Sequence, residues 1–315
     1  MTSPRRIDIH VHLIPQFYQD AVYEAGAGPA IGRYPDWSPE LALELMDRSG
    51  IEVSLMSLAQ PGVQFGDPKK AGALARRCNE YSAELNARWP KHFGSLAVVP
   101  MWDVGEAVAE IDYSLAQLKH QGVCLFASYG GKFLGDAWFD PVLEALNDRG
   151  AVVFVHPSLH PSSRTLELPW PGFMMEYVFD TTRAAVNLVF SGAIERFPRI
   201  RFVLAHAGGL MPYFAWRLSV SPMIDKRLEQ MSPAQVYERL RRFWYDNALA
   251  PTAETFECLK GVARPNQIVF GSDWPFANAA VVAEAVRTYE GVAMPGAQRA
   301  AIDRTNALSL FPQFA

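Results

Sequence analysis

Cysteine is scarce: Cys78, Cys124 and Cys258 are the three in a chain of 315 residues. They are odd in number, far apart and without a CxxC pair, which argues against a disulfide framework and suits a reducing compartment. No basic cluster is present either. The 29 Lys and Arg are dispersed among 33 Asp and Glu, for a formal net charge of −4, so neither nucleic acid nor an anionic membrane is an expected partner. Unbroken apolar runs such as Ala151–Val155 have the length of a strand and are far too short to span a bilayer. The opening MTSPRRIDIHVH runs from two arginines into a strand-like segment, without the apolar region or cleavage site of a signal peptide. The expectation is a soluble, cytoplasmic protein. Also missing are a GxGxxG or GK(S/T) turn after any strand, which speaks against a dinucleotide or phosphate cradle, and a GxSxG elbow.

What is present is apolar bulk. Half of the residues are hydrophobic, enough for one large α/β core. Short β-rich runs alternate with longer amphipathic ones from end to end. The strand candidates are Ile7–His12, Ile51–Leu58, Phe93–Val99, Gly122–Ala127, Ala151–His156, Arg201–His206, Phe243–Tyr245 and Ile268–Gly271. Several are nearly continuous apolar runs, as expected of parallel strands covered on both faces. Helices are expected over Pro39–Ser49, capped by Ser38 and stopped by Gly50, and over Pro68–Trp89, Asp103–His120 and Pro141–Arg149. Eight strands in βα alternation predict a (β/α)₈ TIM barrel as one domain over residues 1–315, preferred to an open doubly wound sheet. The long irregular segments all follow strand ends. They are Leu13–Trp37, a long loop insertion after strand 1, then Gln60–Asp67, Ser128–Asp136 and Pro157–Phe173. In a barrel these share the C-terminal face, where active sites are built.

Seven histidines occur, and four lie at strand ends: His10 and His12 in the first strand, His156 closing AVVFVH and His206 closing FVLAH. Two residues apart, His10 and His12 share a face of an extended strand. Asp273 ends IVFGSD at strand 8. A closed barrel brings all five side chains to one mouth. A lone strand-end histidine is usually a hydrogen-bonded core residue, but four histidines and an aspartate at one mouth point to a metal. Imidazoles with one carboxylate suit Zn²⁺ first, with Mn²⁺ or Fe²⁺ accepted by the same donors. Strand 4 ends in CLFAS with Lys132 well into the loop, so no lysine stands ready to bridge a second ion and a single metal is expected. His92 and His120 read as capping or exposed residues at helix ends, and His160 as a surface residue of the strand 5 loop. Asp246, after strand 7, is a candidate to orient a ligand or support the barrel rim, and Asp8 a candidate supporting carboxylate one layer below His10. Phe17, Tyr18, Trp37, Phe65, Trp102 and Phe276 are candidate walls for a flat ring.

With HxH near the start, VHP at strand 5, AHAGG at strand 6, GSDWPF at strand 8 and NALSLF near the end, the chain resembles the amidohydrolase superfamily. It is most similar to the branch holding 2-amino-3-carboxymuconate-6-semialdehyde decarboxylase and the salicylate-type decarboxylases. MDRSGIEVSLMSLAQPGVQFGD, CNEYSAEL and SYGGKFLGD look most like 6-methylsalicylate decarboxylases. The resemblance implies that His10, His12, His156 and Asp273 hold the metal and that His206 acts in proton transfer. It also implies that Arg217, on pattern alone a helix-surface arginine, reaches the neighbouring subunit of a homodimer to bind a substrate carboxylate. Resorcylate decarboxylases carry Glu in place of the first histidine of HxH, whereas this chain keeps both. The expected substrate is a small aromatic or muconate-type carboxylic acid, held with the help of Arg217, Phe276 and Trp102. The expected reaction is non-oxidative decarboxylation of a 2-hydroxybenzoate, with Asp273 as general acid and His206 as relay. The alternative is a metal-dependent hydrolase or hydratase acting on a lactone, a vinylogous diketone or a carboxylated dienoate.

Overall fold

A computed structural model describes residues 5–165 and 167–315; the first four residues of the N-terminal segment read above, and position 166 in the strand 5 loop, lie outside it. Eight parallel strands follow one another around a barrel: Arg6–His12, Ile51–Ser57, Phe93–Val98, Gly122–Phe126, Val152–His156, Arg201–Leu204, Trp244–Asp246 and Ile268–Val269. The ring closes where Asp8 bridges Phe270 and Val11 bridges Trp274, with Ile9 N–H donating to the Phe270 carbonyl at 3.1 Å. Chain order and strand order coincide because each helical crossover returns the chain to the next parallel position.

Several helices start where the local chemistry asks. Ser38 accepts from Leu41 N–H ahead of α2 (Pro39–Ser49), which ends on Gly50 in the left-handed conformation. Asp67 caps α3 (Pro68–Arg88) and Asp103 caps α4 (Val104–Ala116). Helix α5 spans Asp140–Asp148. Two expectations change. The segment after strand 1 contains a helix, α1 (Gln16–Glu24), whose Tyr18 and Val22 are buried; the Tyr18 hydroxyl donates to the Gly62 carbonyl at 2.8 Å. The expected α4 terminus at His120 is four residues late. The chain turns through Lys119 at φ 58°, and His120 is buried with its Nε2 2.9 Å from Ser82 Oγ, not capping or exposed.

Two apolar clusters divide the interior. The larger lies between the barrel and its surrounding helices. The smaller gathers Ile7, Ile9, Val53, Leu55, Val152, Phe154 and Val203 inside the barrel, closed below by Ala307, Leu310 and Phe311. In the first strand the pairing slips between Asp8 and Val11, where three steps face two on the second strand. This extra residue lets Ile7 and Ile9 fill the interior and still leaves His10 and His12 at the mouth. Asp8 therefore does not sit one layer below His10. Its Oδ1 accepts from His10 N–H at 3.0 Å and Ser272 N–H at 3.1 Å, tying the first strand to the turn after the last.

Candidate metal centre and active site

One donor atom from each of His10, His12, His156 and Asp273 lies within 4.8 Å of all the others, and all four residues are buried. Asp273 Oδ1 stands 3.1 Å from His12 Nε2 and 3.4 Å from His10 Nε2, and its Oδ2 stands 4.0 Å from His206 Nε2. The other ring nitrogen of each histidine is engaged. His10 Nδ1 donates to Asp246 Oδ2 at 2.8 Å, His12 Nδ1 to the Ser57 carbonyl at 3.3 Å, His156 Nδ1 to the Pro157 carbonyl at 2.8 Å and His206 Nδ1 to the Ala248 carbonyl at 3.1 Å. A ring whose Nδ1–H is spent on an acceptor presents the Nε2 lone pair. His10 Nε2 is buried with no hydrogen-bond partner among the described residues, a costly state unless something else binds it. Three imidazole lone pairs and a carboxylate around one point, one lone pair orphaned, fit a divalent cation.

The electrostatics agree at His12, His156 and Asp273, whereas His10 is held in its charged form by the two carboxylates beside it. Burial pushes the His12 and His156 imidazoles below the usual histidine range, so they are neutral donors. Burial also depresses His10, yet the carboxylates of Asp246 and Asp273 outweigh it and lift its pKa to about 10. Burial works to raise the Asp273 carboxyl, but the His10, His12 and His206 rings hold it well below the ordinary carboxylate range.

The backbone that aims these groups is strained. His206 and Asp273 have φ of 52° and 63°, a region that residues other than glycine seldom occupy. Strand 6 accordingly ends at Leu204, two residues before His206. The glycines beside them are there for space: a Cβ on Gly209 would lie 2.2 Å from the Val178 carbonyl oxygen, and one on Gly271 would lie 2.8 Å from His10 Cβ. Asp246 Oδ1 accepts from His206 N–H at 2.9 Å and Ala248 N–H at 3.0 Å. This one carboxylate thus orients His10 and fixes the turn of His206, the ligand-orienting alternative for this residue.

A cavity of about 380 Å³ opens above the cluster, with His156, His206 and Asp273 in its lining and Phe276, Phe173, Ile31 and Leu249 among its apolar walls. Phe276 packs edge-on against His12, centroids 5.5 Å apart. Trp102 is not in this lining; it belongs to a neighbouring cavity of about 640 Å³ with Phe65, Trp138 and Lys132. Its indole N–H donates to the Val63 carbonyl at 3.3 Å, so the position after strand 3 serves the outer chamber. Phe17 stacks on Arg77 and packs against Tyr81, as Trp37 also does, and Tyr18 is core. His92 is exposed, and His160 stacks on Phe133 at 4.7 Å. Arg217 lies exposed on α8 (Met211–Ile224), the eighth helix after α6 (Phe173–Phe190) and the short α7 (Ala193–Arg196). Sequence reasoning passed over Gln60 and Tyr177, which line the cavity and hydrogen-bond one another. Gln60 stood at the head of a strand-end loop, but Tyr177 is a mid-helix residue with no pattern to mark it.

An eight-stranded parallel barrel with a buried His₃Asp cluster at its C-terminal mouth defines a class, the metal-dependent barrel enzymes. The chain belongs to the amidohydrolase family, whose sequence pattern matches residues 7–313. It is similar to 6-methylsalicylic acid decarboxylase of Penicillium expansum, 34% identical over 313 residues that cover 98% of this chain and 96% of that one. It is also similar to gamma-resorcylate decarboxylase of Rhizobium radiobacter, 30% identical over 85% of each chain. The crystal structure of 5-carboxyvanillate decarboxylase from Sphingomonas paucimobilis superposes with a TM-score of 0.85 at 25% identity, covering 98% of this chain and 99% of that one.

Proposed function

We infer that this chain is a metal-dependent carboxy-lyase that removes CO₂ from a 2-hydroxybenzoate, with 6-methylsalicylate as the substrate of choice. The observation that carries the reading is the His₃Asp cluster beneath a largely apolar cavity of about 380 Å³, a size and lining suited to one substituted ring. The relatives above, decarboxylases by name, support this reaction over the hydrolytic or hydrating alternative.

In this reading His10, His12, His156 and Asp273 hold one divalent ion, zinc by its donor set, with manganese the alternative to be separated by reloading the stripped protein. When bound, the ion supplies Lewis acidity and a template for a carboxylate and its ortho oxygen. The chain's own residues handle the proton. Losing CO₂ directly would leave an aryl carbanion, so the ring carbon that bears the carboxylate is protonated first. The carbon–carboxylate bond then breaks, its electrons return to the ring, and the balance is acid anion plus proton giving phenol plus CO₂. Asp273 is the group that delivers this proton. In this reading His206 relays the proton to it, its Nε2 lying 4.0 Å from Asp273 Oδ2. The Ala248 carbonyl holds the His206 Nδ1–H, which leaves Nε2 as the exchanging nitrogen. Phe276 and the apolar wall hold the ring flat and exclude water.

The whole chain, 1–315, acts as one barrel domain and works as a homodimer in which Arg217 reaches the partner's cavity. In support, Tyr213, Trp216, Met223 and Ile224 on the same helix are 71–80% exposed, an apolar stripe that monomers seldom leave uncovered. A cytoplasmic location is supported by three free cysteines, Cys258 among them exposed; no helix among the described residues is long and apolar enough to cross a membrane.

The deciding experiment incubates metal-loaded protein with 6-methylsalicylate and other salicylates in D₂O and follows the products by NMR. The expected product is the decarboxylated phenol with deuterium at the former carboxyl carbon. Metal-loaded protein that turns over none of the panel sinks the assignment.

A further inference from the structure

Gln60 follows the second strand, half-buried, and among the described residues it alone lines both the cavity above the cluster and the larger outer chamber. The Tyr177 hydroxyl, projecting from α6, donates to Gln60 Oε1 at 3.0 Å. With its carbonyl oxygen occupied, the amide presents both Nε2 hydrogens, and no described residue accepts from them. A carboxamide fixed in this sense is a donor waiting for an acceptor.

The charge of the cavity says what that acceptor is. Besides the cluster residues, its described polar side chains are Gln60, Tyr177 and Thr255, and no Lys or Arg lines it. An anion entering from the outer chamber passes Lys132 in that chamber's wall, but further in it meets no cationic side chain of this chain, and Gln60 is the polar group at the shared wall. Charged acceptors gain most from such a donor where water is excluded.

We propose that Gln60 is the specificity-determining donor to the carboxylate of the substrate, and that Tyr177 is a positioning residue that sets its amide. This rests on the hydroxybenzoate reading. The contact is made to the very group that departs, so it favours the acid over the phenol product and acts on substrate binding more than on the chemical step.

The test measures kcat and KM for 6-methylsalicylate, and inhibition by its decarboxylated product 3-methylphenol, in the metal-loaded wild type and in Q60E, Q60L and Y177F. Metal content is matched before comparison. Q60L should raise KM about tenfold and Q60E, which opposes the carboxylate with a like charge, about a hundredfold. Y177F should raise it several-fold, kcat should stay within about threefold, and 3-methylphenol inhibition should stay within about twofold throughout. If Q60E fails to hold metal, Q60L and Y177F carry the comparison. Equal weakening of acid and phenol, an unchanged KM in Q60L, or a loss confined to kcat overturns the proposal. A wild type that releases no CO₂ is a failure of the decarboxylase reading instead, and calorimetric Kd values for the acid and the phenol then decide the role of Gln60.

Discussion

Asp246 shows how one side chain can set a site without entering it. Its two oxygens hold the His10 ring and the His206 turn at once. Asp246→Asn keeps the size and one acceptor oxygen but turns an N–H toward His10 Nδ1. The ring must then place its own proton on Nε2, where the metal belongs. Metal affinity should fall about 10- to 100-fold, measured by competition with a chromophoric chelator; unchanged affinity would refute the orienting role. His120 provides a test of stability. Burial lowers its pKa to about 4, against about 6.5 in the unfolded chain. The unfolded state binds more protons between these values, so the contribution of His120 is intact above about pH 6.5 and lost as pH falls toward 4. Lowering the pH from 7 to 5 should cost the wild type about 2 kcal/mol more than His120→Gln, read from urea unfolding of both. Equal losses in the two proteins would show that His120 is not the titrating group. The burial of His120 was not legible in sequence, because it follows from where α4 stops and the chain turns at Lys119.

At the scale of elements, strand ends and helix caps were readable because they depend on neighbours in sequence: Ser38 and Asp103 each serve a helix a few residues away. The turns that carry His206 and Asp273 were less so. AHAGG stood out as a motif, but the need for its glycines appears only where α6 passes Gly209 and the Tyr245 ring passes Gly208. Gly209→Ala drives a Cβ to 2.2 Å from the Val178 carbonyl oxygen, whereas a Cβ at Gly26, also at positive φ, has nothing within 4 Å. Gly26→Ala should cost about 1 kcal/mol from its backbone conformation alone. Gly209→Ala should cost several times as much and disturb the His206 turn. Thermal unfolding of the two variants, with activity, separates contact from conformation; equal losses would mean that the α6 contact is not what requires glycine.

For the whole molecule, the open question is what covers α8. Its exposed Tyr213, Trp216, Met223 and Ile224 flank Arg217, and a second copy laid on this stripe would bury it. The expected result in sedimentation is a dimer for the wild type and a monomer for Trp216→Arg. Arg217→Ala should stay dimeric and lose at least tenfold in kcat/KM, as removal of an arginine clamp on a carboxylate does. A monomeric wild type, or full activity in Arg217→Ala, would remove this arginine from the site. Sequence by itself determined the βα alternation, the strand-end placement of His10, His12, His156 and Asp273, and the family motifs, since these follow from local periodicity and spacing. Tertiary structure decided which side chains share a cavity. It sent Trp102 to the outer chamber, moved Asp8 off the face of His10 by one extra residue in the first strand, and joined Gln60 to Tyr177 from segments more than a hundred residues apart. Barrel closure sets such distances in space, and no spacing along the chain encodes them.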